Sequence, residues 1–232
     1  MLLAINTSTT QFSVALMEND ATILSEYTAS KGARHFGGLM PALDFMIKGT
    51  ATSTGDINAI AVANGPGSFT GLRVGISFAK GLAHGLDIPL IGVSTLEALA
   101  NQLPYSALCL APLLDSRKDE VFTARFVMES ETLIKRIGED ITVKFRDLPE
   151  IFKGNTLFVG NNFALQAGIL KGIFDSKAHL APPDLWNLKA SSVGALGLKA
   201  LKERGPDDPH DLKPVYLRPP DIRPNPYYTP GS

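Results

Sequence analysis

Residues 64–73 read Asn-Gly-Pro-Gly-Ser-Phe-Thr-Gly-Leu-Arg (NGPGSFTGLR). Gly65, Pro66, Gly67 and Gly71 follow directly on the apolar run at 59–63, and a helical pattern then extends to about residue 86. A strand, a glycine-rich loop and a helix N-terminus in that order can cradle a phosphate. The same order also serves as a tight β-to-α turn with close packing behind it. The loop lacks the Lys-Ser/Thr of a Walker A motif and does not fit G-x-G-x-x-G. The turn is therefore the first expectation and phosphate contact the second.

On the N-terminal side, Leu2–Asn6 is a short continuous apolar run, as expected of a buried strand. Phe12, Val14 and Leu16 alternate with Ser13 and Ala15 in a second strand, and 22–27 reads as a third, giving a β-meander. A helix follows within 34–48, with Pro41 placing its start near Gly38. On the C-terminal side of the loop come helix 70–86, strand 90–93 and helix 95–102. The second half repeats the order: strands at 107–114, 121–127 and 133–136, a short helix at 148–152, strand 156–159 and helix 164–170. Ala190–Arg204 is one more amphipathic helix, ended by Gly205-Pro206. Tandem βββαβα units predict an α/β fold of two lobes with the actin/hexokinase-like (ASKHA, ribonuclease-H-like) architecture. The expected division is an N-terminal lobe over 1–104, joined by helix 190–204, a smaller second lobe over 105–189, and a proline-rich segment over 205–232 whose end, 219–232, reads as a mobile tail.

With 232 residues, the chain has ample material for a core. Its 44% hydrophobic and 19% charged residues are those of an ordinary globular protein, and its formal net charge is −1. Lys and Arg are scattered, with no basic stripe of the kind that marks a dedicated nucleic-acid binder. No run of 18 apolar residues predicts a membrane span, and the first residues lack the pattern of a signal peptide. The single cysteine, Cys109, lies in an apolar run and is expected to be buried, in keeping with a cytoplasmic setting.

Helix 70–86 carries two rows of small residues, Gly71 with Gly75, and Ser77 with Gly81 and Gly85. Each glycine in a helix costs about 1 kcal/mol relative to alanine, so close approach by another backbone must compensate. Either both rows pack on the protein's own sheet, or one row meets a helix of a partner subunit. Chemical machinery is sparse. His35, His84, His179 and His210 form no ligand spacing, and Gly67-Ser68-Phe69 is not a nucleophile elbow. At the first corner, where actin-like nucleotide sites place an acidic residue, stands Asn6; at the second, Asp115 keeps a carboxylate. No catalytic residue and no metal site is expected. Asn6, Thr7, Ser8, Gly67 and Asp115 are the candidates for nucleotide or phosphate contact.

The stretches ANGPGSFTGLRVGISFAKGLAHG and IPLIGVSTLEALA closely resemble the signature region of the TsaB (YeaZ) family. The resemblance extends to LLAINTSTTQFSVAL, RHFGGLMPALDFMI, LLDSRKDEVFTARF and KPVYLRP, and is weakest over 128–190. It implies a non-catalytic subunit that pairs with the catalytic paralogue TsaD, with the ATPase TsaE, in threonylcarbamoyl transfer to N6 of the adenosine 3′ of the tRNA anticodon. It also implies self-association through the same surface and tRNA contact only through the complex; it implies no firm cofactor, and leaves open a nucleotide at the subunit junction. TsaD binds metal through H-x₃-H; here His35 is followed at that spacing by Leu39. The family usually has Asp at the position of Asn6. Carried over by position, the implied pairing surface comprises Arg34, His35, Leu39, Met40 and Leu43 from one helix. The other contributes Phe69, Thr70, Leu72, Arg73, Gly75, Ile76, Ser77 and Lys80. The competing expectation is an enzyme in its own right, an ATP-dependent transferase or a glycoprotease-like metallopeptidase. Kinship with sugar or acetate kinases is a third, opposed by Asn6 and the short second half.

Overall fold

The computed structural model describes residues 1–30, 35–117, 119–131 and 133–218, without the side chains of His35 and Phe36. Arg34 and the tail expected at 219–232 lie outside the described residues.

Two five-stranded sheets carry the fold, and they are built alike. In the first, β1 (Leu2–Asn6) is central, antiparallel to β2 (Gln11–Met17) and parallel to β4 (Ala59–Gly65). Strand β3 (Ile23–Ser30) flanks β2, and β5 (Leu90–Ser94) flanks β4, so the order is β3-β2-β1-β4-β5. In the second, β6 (Cys109–Asp115) takes the place of β1, with β7 (Glu120–Ser130) and β8 (Leu133–Lys144) on one side. On its other side run β9 (Thr156–Gly160) and β10 (Ala178–Leu180), giving the order β10-β9-β6-β7-β8. The central strands read as unbroken apolar runs because both their faces are covered, and every residue of β1 is buried.

Helices α1 (Leu39–Thr50) and α2 (Phe69–Leu86) cover one face of the first sheet. Their Leu39, Leu43, Met46, Ile76 and Ala83 close a core with Ile5, Val14 and Val62. Between the sheets, α3 (Thr95–Asn101) packs against α6 (Ala190–Arg204). The exchange of helices is reciprocal, since α3 reaches the strands of the second sheet and α6 lies along β1, β2, β4 and β5 of the first. One continuous apolar cluster therefore runs from Leu2 and Ala61 through Leu99 and Val193 to Phe126 and Phe158. Helices α4 (Leu148–Ile151) and α5 (Phe163–Phe174) complete the second half.

The elements depart furthest from expectation in two places. Strand β8 runs to Lys144 rather than 136, because it bends through Gly138 (φ +86°) with a register shift opposite Thr123 and Arg125. An edge strand interrupted by a bulge loses the alternation that reveals it. Strand β10 is only three residues long and was not expected at all.

The outer edge of β5 is occupied from within the chain. Asp207 N donates to Leu90 O at 2.9 Å, and Gly92 N donates to the Asp207 carboxylate at 2.7 Å. Arg204 pairs with Asp207 and also reaches Gly92 O. An edge with its amides satisfied does not template further strands.

Candidate functional site

The first corner holds itself together. Asn6 is fully buried; its Nδ2 donates to Leu188 O at 3.0 Å, and its Oδ1 accepts from Ser8 N at 3.0 Å and Ser8 Oγ at 2.6 Å. Thr7 Oγ1 donates to Gly71 O at 2.7 Å, and Ser68 N donates to Ser8 O at 2.7 Å. The corner thus clamps the quoted loop from behind. Gly65 turns the chain at φ +129°, where a side chain is strained, and Ser68 Oγ caps α2 by accepting from Gly71 N at 3.2 Å. NGPGSFTG is a strand-to-helix turn pinned to the first corner.

Across from it, the second corner ends on Asp115. Its carboxylate accepts from Gln166 Nε2 at 2.6 Å and Asn162 Nδ2 at 3.2 Å, while its own amide donates to Asn161 Oδ1 at 2.9 Å. Between the corners opens a cleft of about 530 Å³. Of the five expected phosphate contacts, Ser8, Gly67 and Asp115 line this cleft. Asn6 and Thr7 are absent from its lining, and their side chains are engaged in the corner.

Helix α2 has two unlike sides. Gly71, Leu72, Gly75, Ile76, Ala79 and Ala83 face the sheet and are buried. Thr70, Arg73, Ser77, Gly81, His84 and Gly85 are exposed. A Cβ on Gly75 would run into Thr7, whereas at Gly81 and Gly85 nothing lies within 4 Å of one. On α1, Leu39, Ala42, Leu43 and Met46 point inward, leaving Met40 at 55% and Phe45 at 68% exposure.

Five residues assigned to a pairing surface therefore belong to the chain's own core: Leu39, Leu43, Leu72, Gly75 and Ile76. They cover the first sheet, a demand that any partner comes after. Met40, Phe69, Thr70, Arg73 and Ser77 are exposed, and Lys80 is half-buried. The side chain of His35 is not described. Phe45, which the resemblance did not single out, is exposed because it stands out of phase with the buried row 39-42-43-46.

Among the described residues, no three His, Cys, Asp or Glu side chains converge as metal ligands, and no helix is long and apolar enough to cross a membrane. Cys109 is half-buried rather than enclosed, and burial pushes its thiol pKa up, away from the reactive thiolate.

Residues 22–222 match the family model described as "TsaD: tRNA N6-adenosine threonylcarbamoyltransferase". The chain is 32% identical to the tRNA threonylcarbamoyladenosine biosynthesis protein TsaB of Bacillus subtilis, over 94% of this chain and 93% of that one. The chain belongs to the TsaB family. A TsaB protein of Escherichia coli is 39% identical over 54% of each chain. YeaZ from Pseudomonas aeruginosa superimposes with a TM-score of 0.77 at 24% identity, covering 93% of this chain and 99% of that structure. At that identity the superposition speaks for the fold, and the actin/hexokinase-like architecture of the TsaB family is the one seen in the paired sheets and exchanged helices.

Proposed function

We propose that this chain is the non-catalytic subunit of a tRNA threonylcarbamoyladenosine-forming complex, acting as a scaffold for a TsaD-type transferase in the cytoplasm. The partner face is the outer side of α1 and α2. The observation that carries this reading is the exposed row Ser77-Gly81-Gly85, whose two glycines have open space beside them, on the side of the sheet where Met40 and Phe45 are also exposed. A partner helix can approach bare backbone closely, and exposed Met and aromatic side chains are typical anchors of an interface core. On this reading a second copy of the chain takes the same face when no TsaD is present. A TsaE-type ATPase and tRNA join through the assembled complex, with any nucleotide at the subunit junction. On this reading the chain has two lobes, 1–104 joined by 190–204, and 105–189, and the partner face lies on the first. Reconstitution of tRNA modification with TsaD and TsaE, with and without this chain, tests the proposal. Equal modification in its absence would overturn it.

The family model's description as a transferase favours one rival, an enzyme acting alone. Against it, the first corner offers a cation no carboxylate, and its Asn6 is spent on Leu188 and Ser8. Metal analysis and an ATPase assay of the purified chain separate the readings: stoichiometric iron or zinc, or turnover without partners, supports the enzyme.

A further inference from the structure

After α6 the chain returns across the mouth of the cleft. Leu212 is buried, and Gly92 leaves room for it, since a Cβ there would lie 2.5 Å from Leu212 Cδ1. Val215 N donates to Asn64 O at 2.7 Å. Its carbonyl sits where only a glycine at 65 allows, 2.5 Å from the position a Cβ would take. The Tyr216 hydroxyl accepts from Arg73 Nε at 3.0 Å, and the Tyr216 ring lies 5.0 Å from that of Phe69. The Arg73 guanidinium is stacked 3.8 Å over the same Phe69 ring. Leu217 is half-buried against the core between the sheets. Arg218 Nη1 then reaches Glu120 Oε2 at 2.6 Å, on the first residue of β7 in the second sheet.

We infer that residues 212–218 form a strap that closes the cleft by tying the first sheet to the second. Its two ends are unequal. The first-sheet end has a backbone hydrogen bond, a buried leucine, a ring contact and a fitted glycine on either side. The far end has Leu217 and, among the described residues, one ion pair whose side chains are 42% and 27% exposed. Such a pair shifts a local equilibrium by a factor of about five at most. The strap therefore opens from Arg218 back through Val215, towards the buried anchor at Leu212. Val215 to Arg218 form one wall of the cleft, so release opens it to solvent from that side. Arg73 also stands on the outer row of α2, and a partner that engages its guanidinium removes the donor to Tyr216. That last consequence rests on the proposed partner face; the strap itself does not.

The test compares the full chain with Arg218→Glu, with Glu120→Arg, and with the double charge swap. Hydrogen exchange reports the Val215 amide, and maleimide labelling of Ser116→Cys in a Cys109→Ser background reports access to the cleft. Each single reversal is expected to raise both rates about two- to fivefold, and the swap to restore them. Tyr216→Ala is expected to exceed either reversal. Unchanged exchange in β1 and β4 shows that the fold is intact. Equal rates in all chains, or a swap that fails to restore them, overturns the strap.

Discussion

The two rows of small residues on α2 are chemically alike and do opposite work. Gly75 faces Thr7 with no room for a methyl group, so the helix recovers the cost of its flexible backbone in close packing on the first corner. Gly81 and Gly85 sacrifice the same helix propensity, about 1 kcal/mol each, with open space where a side chain would stand. A cost with no return inside the molecule points outside it. The largest expected effect breaks the inner row. Gly75→Arg drives a long charged side chain against Thr7 and is expected to cost about 4 kcal/mol or more, seen as loss of the folded state in urea titration. Gly81→Arg makes the same substitution in open space. It is expected to leave the urea midpoint unchanged or slightly raised, yet weaken capture of a TsaD partner at least about tenfold by biolayer interferometry. Undiminished capture by this second variant would erase the distinction between the rows.

That α2 is two-sided could be read from the spacing of its glycines, but which row faces inward could not. Helix phase is set where α2 leaves the loop, by Ser68 N on Ser8 O and by Thr7 Oγ1 on Gly71 O, contacts across about 60 residues of chain. Central strands β1 and β4 were legible because burial on both faces leaves an unbroken apolar run. The tandem arrangement was legible because both halves repeat the same order of elements. The candidate site was less so. Apolar residues at 39, 43, 72 and 76 serve core and interface equally well on paper, and only the packed sheet decides between them. The strap showed only as the family-like stretch KPVYLRP, with no sign of its contacts, since 212–218 has no periodicity and Arg218 meets Glu120 across 98 residues.

A smaller effect sharpens the comparison at the neighbouring helix. Phe45 is 68% exposed. Phe45→Ala is expected to change stability by less than about 0.5 kcal/mol, as exposed substitutions do. If the outer face of α1 joins that of α2 in one interface, the same change weakens partner binding by about 1–2 kcal/mol in calorimetric titration. Combined with Gly81→Arg it should then add less than the sum of the two, because both remove parts of one contact.

The smallest effect concerns the β5 edge, which, like the inner row of α2, is satisfied within the chain. Burial opposes ionisation of Asp207, but the hydrogen bonds from Arg204 and from the Gly92 amide outweigh it, and its pKa lies below the ordinary carboxylate value. A carboxylate with a depressed folded pKa binds its proton more readily when unfolded. Its contribution is therefore complete above the unfolded value, near pH 4, and is lost as the pH falls through the lower folded value. Asp207→Asn keeps an acceptor for Gly92 and removes the charge. Wild type should exceed this variant by about 0.5–1 kcal/mol in urea unfolding at pH 7, a gap that narrows below about pH 4 and closes under the folded pKa. Partner binding at pH 7 should be equal in the two, because the edge already has its partner inside the chain and the outer row of α2 does not.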